Sequence, residues 1–323
     1  MLNDKRILVT GGTGYFGQKF VHYVLQHYKP ERIVIFSRDE HKQEEMAKVF
    51  GGPRMRYFIG DVRDPVRLLQ AMEGIQFVVH AAAMKRVPQM EYNPQEAVHT
   101  NIDGTLNVIW ACKSHKVQKA VFLSTDKAVH PVNLYGGTKM VAERLWLNAN
   151  YYHRGFNVVR YGNVMGSRGS VLERFQTLLA DGKKELPITD KLCSRFWVDP
   201  EQAVKTVITS IGMLPGQTLI PKCPAFKVTD LAHALYMRAQ LKEIGLRPGE
   251  KIHETLISPE EAARAYFVDD YYCIVPEGVY DETLRYPVKD TPRVPWTVLA
   301  SDGDMVHQMN QADIRAKLAE EKR

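Results

Sequence analysis

Cysteine is scarce. The four residues, Cys112, Cys193, Cys223 and Cys273, form no C-x-x-C pair, so neither a zinc cluster nor a disulfide framework is suggested and no metal site is expected. Long apolar runs are missing too, since none approaches the roughly 18 residues that a membrane helix needs. A strand-like segment already starts near residue 5, which leaves no space for a cleavable leader; a cytoplasmic protein with no membrane partner is the expectation. Tracts of like charge, internal repeats and low-complexity stretches are also absent. The 43 basic and 37 acidic residues leave a formal charge of +6 over 323 residues but are interspersed, which argues against a nucleic-acid partner. A mild positive excess fits a protein that holds phosphorylated small molecules with Lys, Arg and backbone amides. What is present is ordinary globular content, 45% hydrophobic and 25% charged, in a chain longer than one core usually fills.

Strand candidates at 6–10, 32–36, 56–59, 77–80, 120–124 and 158–161 alternate with helix candidates near 15–28, 40–49, 65–72, 94–114 and 135–153. That alternation predicts an α/β fold, a doubly wound parallel Rossmann sheet, over residues 1–165. After Gly169 the rhythm loosens, with helical stretches at 171–181, 200–212 and 228–243 punctuated by residues such as Pro187, Pro215, Gly216 and Pro248. Residues 166–280 are expected to form a smaller, irregular substrate lobe, able to return strands to the sheet. Residues 281–323 read as a tail with a charged helix at 311–322, packed on a neighbour or on its own surface.

The first strand runs into Gly11-Gly12-Thr13-Gly14-Tyr15-Phe16-Gly17, a G-x-x-G-x-x-G loop that opens a helix. Between a strand and a helix, such glycines let backbone amides approach a pyrophosphate where any Cβ would intrude. The second strand ends in Ser37-Arg38, a hydroxyl and a guanidinium suited to a 2′-phosphate, so NADP(H) is the expected cofactor. Asp39, one residue on, keeps NAD open as the alternative. Asp61 and Val62 at a third strand end offer a contact to adenine, and Ala81, Ala82 and Ala83 let ribose or nicotinamide approach the main chain, unless they serve only close helix packing.

Tyr135 and Lys139 form Y-x-x-x-K at a helix start, a spacing that puts both side chains on one face. A neighbouring ammonium and a cationic nicotinamide favour the phenolate form of the tyrosine, which can then take a proton from a sugar hydroxyl. With the glycine loop, this motif order resembles the short-chain dehydrogenase/reductase superfamily. The segment Ser124-Thr125-Asp126-Lys127-Ala128-Val129 ends the fifth strand candidate, beside the nicotinamide in such a fold. Thr125 can orient a substrate hydroxyl, and Asp126 with Lys127 is an adjacent acid and base. Related nucleotide-sugar dehydratases have Thr-Asp-Glu at this point; here lysine replaces the glutamate.

The stretches GGTGYFG, FSRDE, GDVRD, HAAAMKRVP, NIDGTLNV, STDKAVHPVNLYGGTK, RYGNVMGSRGS, LPITDKLCSRFWV, PKCPAFKVTDLA and PGEKIHE cover almost all of residues 5–257. They resemble the inverting UDP-N-acetylglucosamine 4,6-dehydratases that open the pseudaminic acid pathway. Tyr15, the segment Leu172-Glu173-Arg174 and the tail beyond about residue 276 depart from that pattern. The resemblance implies NADP held by residues 13–17, Ser37 and Arg38, with Tyr135 and Lys139 at the nicotinamide and Asp126 and Lys127 as catalytic residues. It further implies UDP-N-acetylglucosamine lined by Lys85, Thr125, Asn163, Arg195, Lys251 and Glu254, and a homo-oligomer. Read from the residues alone, the alternatives are a structural ion pair for Arg195, a surface hairpin pair for Lys251 with Glu254, a turn cap for Asn163 and a solvated cation for Lys85. In the implied reaction Tyr135 deprotonates the C4 hydroxyl, a neutral Lys127 takes the C5 proton, and a protonated Asp126 supplies one to the departing C6 hydroxyl, with inversion at C5. A non-inverting dehydratase, a UDP-sugar 4-epimerase and a catalytically silent NADP-sensing regulator remain the alternatives.

Overall fold

The computed structural model describes residues 1–167, 169–276 and 292–320. Its first part alternates β1 (Arg6–Thr10), α1 (Tyr15–His27), β2 (Arg32–Ser37), α2 (Glu40–Val49), β3 (Met55–Ile59), α3 (Pro65–Ala71) and β4 (Phe77–His80). Three helices follow, α4 (Val87–Tyr92), α5 (Pro94–Val98) and α6 (Gly104–Ser114), then β5 (Lys119–Thr125), α7 (Leu134–Asn148) and β6 (Phe156–Tyr161). The next stretch holds β7 (Asn163–Val164), α8 (Val171–Ala180), β8 (Glu185–Ile188), β9 (Ser194–Val198), α9 (Pro200–Gly212), β10 (Thr218–Pro221) and β11 (Ala225–Lys227). Last come α10 (Val228–Leu235), β12 (Gln240–Glu243), β13 (Thr255–Ile257), α11 (Pro259–Ala262), β14 (Ala265–Val268), β15 (Tyr271–Ile274), β16 (Leu299–Ala300) and α12 (Gln311–Glu320).

Every residue of β4 and β6 is buried, the pattern of strands covered on both faces. They belong to a nine-stranded sheet of order β14-β15-β10-β6-β5-β4-β1-β2-β3. From β3 to β10 all neighbours are parallel, and β15 and β14 complete the edge antiparallel. One face packs Phe20, Val21 and Val24 of α1 against Val204, Val207 and Ile211 of α9. The other buries Leu68 of α3, Val108 of α6 and Trp146 of α7. Beyond the sheet, Leu172, Phe175, Trp197, Phe226, Leu231 and Ile314 form a further core. No helix among the described residues is long and apolar enough to cross a membrane.

The sheet is the doubly wound Rossmann arrangement expected from the sequence, but some elements differ. The single helix expected at 94–114 is interrupted by a π-helical turn at His99–Asp103, which a 3.6-residue period does not distinguish from α. The helix expected at 228–243 stops at Leu235, where Tyr236 turns extended at φ −146°. Residues Gln240–Glu243 instead pair parallel with β8, placing Leu241 beside Leu186, so tertiary pairing overrides local helical preference. The expected terminal helix runs over Gln311–Glu320 and folds onto its own chain, burying Ile314; residues 321 and 322 of that expectation, and 281–291 of the expected tail, lie outside the described residues.

Candidate active site

The chain passes from β3 back to β4 on the far side of β1, so the carboxyl ends of β1 and β4 border a crevice of the kind in which open α/β sheets bind ligands. Gly11 has φ +64°, and a Cβ there would lie 2.8 Å from Cα of Ala82. A Cβ on Gly17 would lie 2.2 Å from the carbonyl oxygen of Gly12. Only glycine fits at either position. Helix α1 is capped by Gly14 without a side-chain hydrogen bond and has no acidic residue in its first turn, which leaves the amides at Tyr15, Phe16 and Gly17 suited to an anion. Thr13 beside them is buried, and the Tyr15 hydroxyl donates to the Met165 carbonyl at 2.9 Å, tying the loop to the chain after β7. Ala81 and Ala82 donate their amides to Thr10, at 3.2 Å each, while Ala83 is partly exposed next to Met84, whose amide is held by Asn101 at 2.8 Å.

At the end of β2, Ser37 is buried and its Oγ accepts from Gln43 at 2.9 Å; Gln43 also donates to the carbonyl of Phe58, joining the ends of β2 and β3. Arg38 is exposed, 3.6 Å from Asp61. Asp39 is committed elsewhere: its carboxylate caps α2 by accepting from the Lys42 amide at 3.0 Å. Burial would raise the Asp61 carboxyl, but hydrogen bonds from Arg63 and the charges of Arg38 and Arg63 hold it below its ordinary value. Val62 is buried, and its carbonyl accepts from Asn107 at 3.0 Å.

The second part of the site grows from the end of β5. Thr125 leaves the strand and the chain tightens into a 3-10 turn at Asp126–Ala128. Thr125 Oγ1 donates to Asp126 Oδ1 at 2.8 Å. Lys127 Nζ lies 3.1 Å from Asp126 Oδ1, 3.0 Å from Glu254 Oε1 and 3.4 Å from Asn163 Oδ1. Asp126 and Glu254 are buried, and each keeps one carboxylate oxygen without a hydrogen-bond partner among the described residues. Gly162 makes room for this: a Cβ there would lie 3.2 Å from Asp126 Oδ2 and 2.7 Å from Phe196 Cβ.

These contacts run against the neutral Lys127 expected from the sequence. Burial alone would strip the proton from Lys127, but Asp126 and Glu254 outweigh it and hold the side chain as an ammonium. Tyr135, in the first turn of α7, is pushed up to about 12 by burial, with the Lys127 charge opposing the rise and the Asp126 charge adding to it. Lys127 is therefore a cation that favours the phenolate. Lys139 points its Nζ at the carbonyl of Leu123, 2.5 Å away and 3.7 Å from the centre of the Phe122 ring; burial lowers it to about 7.

Arg195 on β9 is buried, donating to the carbonyls of Ser194 (2.7 Å) and Ile252 (2.8 Å) and pairing with Glu250 at 3.0 Å. Lys251 donates to the carbonyl of Val129 at 2.6 Å, and burial lowers its pKa. Lys85 is exposed on the loop after β4. The structure thus gathers Thr125, Asp126, Lys127, Tyr135, Asn163 and Glu254, with Arg195 and Lys251 close by and Lys85 on the surface. Sequence reasoning missed Gln43, Asn101, Gly162 and Glu250. A glycine directly after a buried strand was the one available signal, at Gly162.

The doubly wound sheet with its glycine cradle and Tyr135-x-x-x-Lys139 helix defines a Rossmann architecture of the short-chain dehydrogenase/reductase type. The chain belongs to the polysaccharide biosynthesis protein family, which it matches over residues 7–276. It is 52% identical over 281 residues, 85% of this chain and 84% of the relative, to a UDP-N-acetylglucosamine 4,6-dehydratase (inverting) of Campylobacter jejuni. It is 40% identical to a UDP-glucose 4-epimerase of Rickettsia canadensis, covering 91% of this chain and 89% of that one. The solved structure of Pen from Bacillus thuringiensis superposes with a TM-score of 0.90 at 36% identity, covering 100% of this chain and 99% of that one.

Proposed function

We propose that this protein is an NADP-dependent UDP-N-acetylglucosamine 4,6-dehydratase that inverts C5. Similarity to the dehydratase of Campylobacter jejuni over most of both chains makes it an enzyme acting on nucleotide sugars. The observation that carries the finer reading is the buried Asp126–Lys127 contact of 3.1 Å beside Tyr135. Removal of water needs an acid for the leaving hydroxyl and a base for the neighbouring proton, whereas 4-epimerisation needs neither.

The cradle at Gly11 and Gly17 and the uncapped start of α1 fit a dinucleotide, with Ser37 and Arg38 available to a 2′-phosphate while Asp39 is spent on capping α2. When bound, the dinucleotide supplies a reversible two-electron acceptor for the sugar ring. As phenolate, the form that Lys127 and a bound cationic nicotinamide would favour against burial, Tyr135 would accept the proton of the C4 hydroxyl, leaving a 4-keto sugar whose C5 proton is acidified. One proton passed from Lys127 to Asp126 across their 3.1 Å contact would make Asp126 the acid and Lys127 the base of the elimination. Lys127 then takes the C5 proton, Asp126 gives its proton to the C6 oxygen, and water departs. The pair ends as it rested, with no proton drawn from solvent for the elimination. Return of the two electrons as hydride to C6, with a proton from solvent added to C5 from the opposite face, would give the inverted 4-keto-6-deoxy product. Lys85 is the exposed cation for the nucleotide-sugar phosphates, and Arg195 and Lys251 would have to exchange present partners, Glu250 and the Val129 carbonyl, to join it. A homo-oligomer is also proposed, on family resemblance, and light scattering tests it.

The test is incubation with UDP-N-acetylglucosamine and either NADP+ or NAD+ in deuterated water, read by mass spectrometry and proton NMR. Loss of one water, replacement of the C6 hydroxymethyl signals by a methyl signal and an inverted C5, with NADP+ preferred, is the expected result. A product of unchanged mass epimerised at C4 would support the second reading, favoured by the likeness to UDP-glucose 4-epimerases.

A further inference from the structure

Elimination of water needs one acid and one base, and under the dehydratase reading Asp126 and Lys127 supply both. The site buries a second carboxyl group beside Lys127. Glu254 is 2% exposed, and its Oε1 lies 3.0 Å from Lys127 Nζ, close to the distance from that nitrogen to Asp126. Its backbone is gripped on both sides by Ser301, whose Oγ accepts from the Glu254 amide at 2.9 Å and whose amide donates to the Glu254 carbonyl at 2.8 Å. Ser301 Oγ also meets Ser194 Oγ at 2.7 Å, on the strand that carries Arg195. A carboxylate taken out of water is tolerated only beside a compensating charge, and the cation in contact with Glu254 is Lys127.

We infer that Glu254 is a positioning residue for the elimination, its carboxylate holding the Lys127 side chain against Asp126 in the closed site. The groups facing Lys127 are Asp126 from the same turn, Glu254 ahead of β13, Asn163 on β7, Arg195 on β9, Tyr135 on α7 and Lys251. Asp126 and Glu254 favour the ammonium form, and Arg195 opposes it. Glu254 therefore sets how readily Lys127 gives up its proton to become the base. Its unpartnered Oε2 leaves it one acceptor for a substrate hydroxyl.

The inference rests on the dehydratase reading, and the experiment separates the two. In the full chain with NADP+ added and lysines labelled with nitrogen-15, the Lys127 Nζ signal is followed against pH in wild type and Glu254→Gln, with Lys127→Arg used for assignment. The ammonium form in E254Q is expected to be lost at a pH at least about one unit lower, a tenfold change in the proton equilibrium. In single turnovers with UDP-N-acetylglucosamine, C4 oxidation is expected to persist while the pH optimum of C5 proton exchange with deuterated water falls in step. Glu254→Asp keeps the charge on a shorter arm and is expected to lie between, and it replaces E254Q if that variant does not fold. An unmoved Lys127 midpoint overturns the inference. Equal loss of oxidation and exchange at an unchanged pH optimum overturns it too, being the mark of a merely structural residue. If the midpoint moves while wild type leaves the sugar nucleotide intact, the dehydratase reading fails and the coupling stands.

Discussion

At the scale of the residue, chemistry divides between groups adjacent in the chain and groups that only folding brings together. Thr125, Asp126 and Lys127 are consecutive, and Tyr135 and Lys139 are one helical turn apart, so the sequence alone exposes them. The protonation of Lys127 was not legible, because Glu254 approaches it from the far end of the chain. Asp126→Asn removes the acid but keeps the shape. It is expected to oxidise C4 yet lose about 10²- to 10⁴-fold in dehydrated product, whereas Tyr135→Phe suppresses both steps; single-turnover absorbance with product mass spectrometry separates them. Lys139 yields a pH prediction. Its folded pKa is lowered to about 7 from 10.5, so between those values the unfolded chain binds a proton that the folded chain does not, and stability rises with pH across that window. Lys139→Met is therefore expected to raise the melting temperature most below pH 7, with the gain shrinking as pH climbs towards 10.5; scanning calorimetry at several pH values checks it.

Among elements, the parallel βαβ half was legible because each strand is a short β-branched run and each helix an amphipathic stretch, signals that need no knowledge of distant partners. The later strands carry no such signal. Strands β12 and β13 hold four and three residues, and each is defined only by its partner, β8 and β16. Buried charge joins these distant parts. Arg160 on β6 pairs at 2.7 Å with Glu143 on α7 and at 2.7 Å with Glu261 on α11, with all three side chains largely buried. This clamp fixes the helix of Tyr135 and Lys139 against the segment that follows Glu254. Glu261→Gln leaves Arg160 half compensated and removes the carboxylate of the Ser258 capping box. A loss of about 3 kcal/mol is expected, seen as a lower urea midpoint with an unchanged slope.

At the scale of the whole molecule, the two cores flanking the sheet and the core beyond it do different work. The sheet cores hold the glycine cradle and the end of β5, and so the dinucleotide and the reacting turn. The third core supports β9 and the chain around it, where Arg195 and its Glu250 partner lie. Helix α12 closes that core through Ile314 and anchors it with a Lys317–Asp199 contact of 3.0 Å. It packs on α10 and on the core around Leu231, so its contribution to catalysis is expected to pass through the substrate side. Ending the chain at residue 310 exposes Leu231 and its neighbours while leaving Ser301 and Glu254 in place. The expected outcome is a rise in KM for the sugar nucleotide of about tenfold or more, with NADP+ affinity unchanged by calorimetry. Equal weakening of both ligands would mean that the third core also braces the sheet, and the division of labour between the cores would have to be given up.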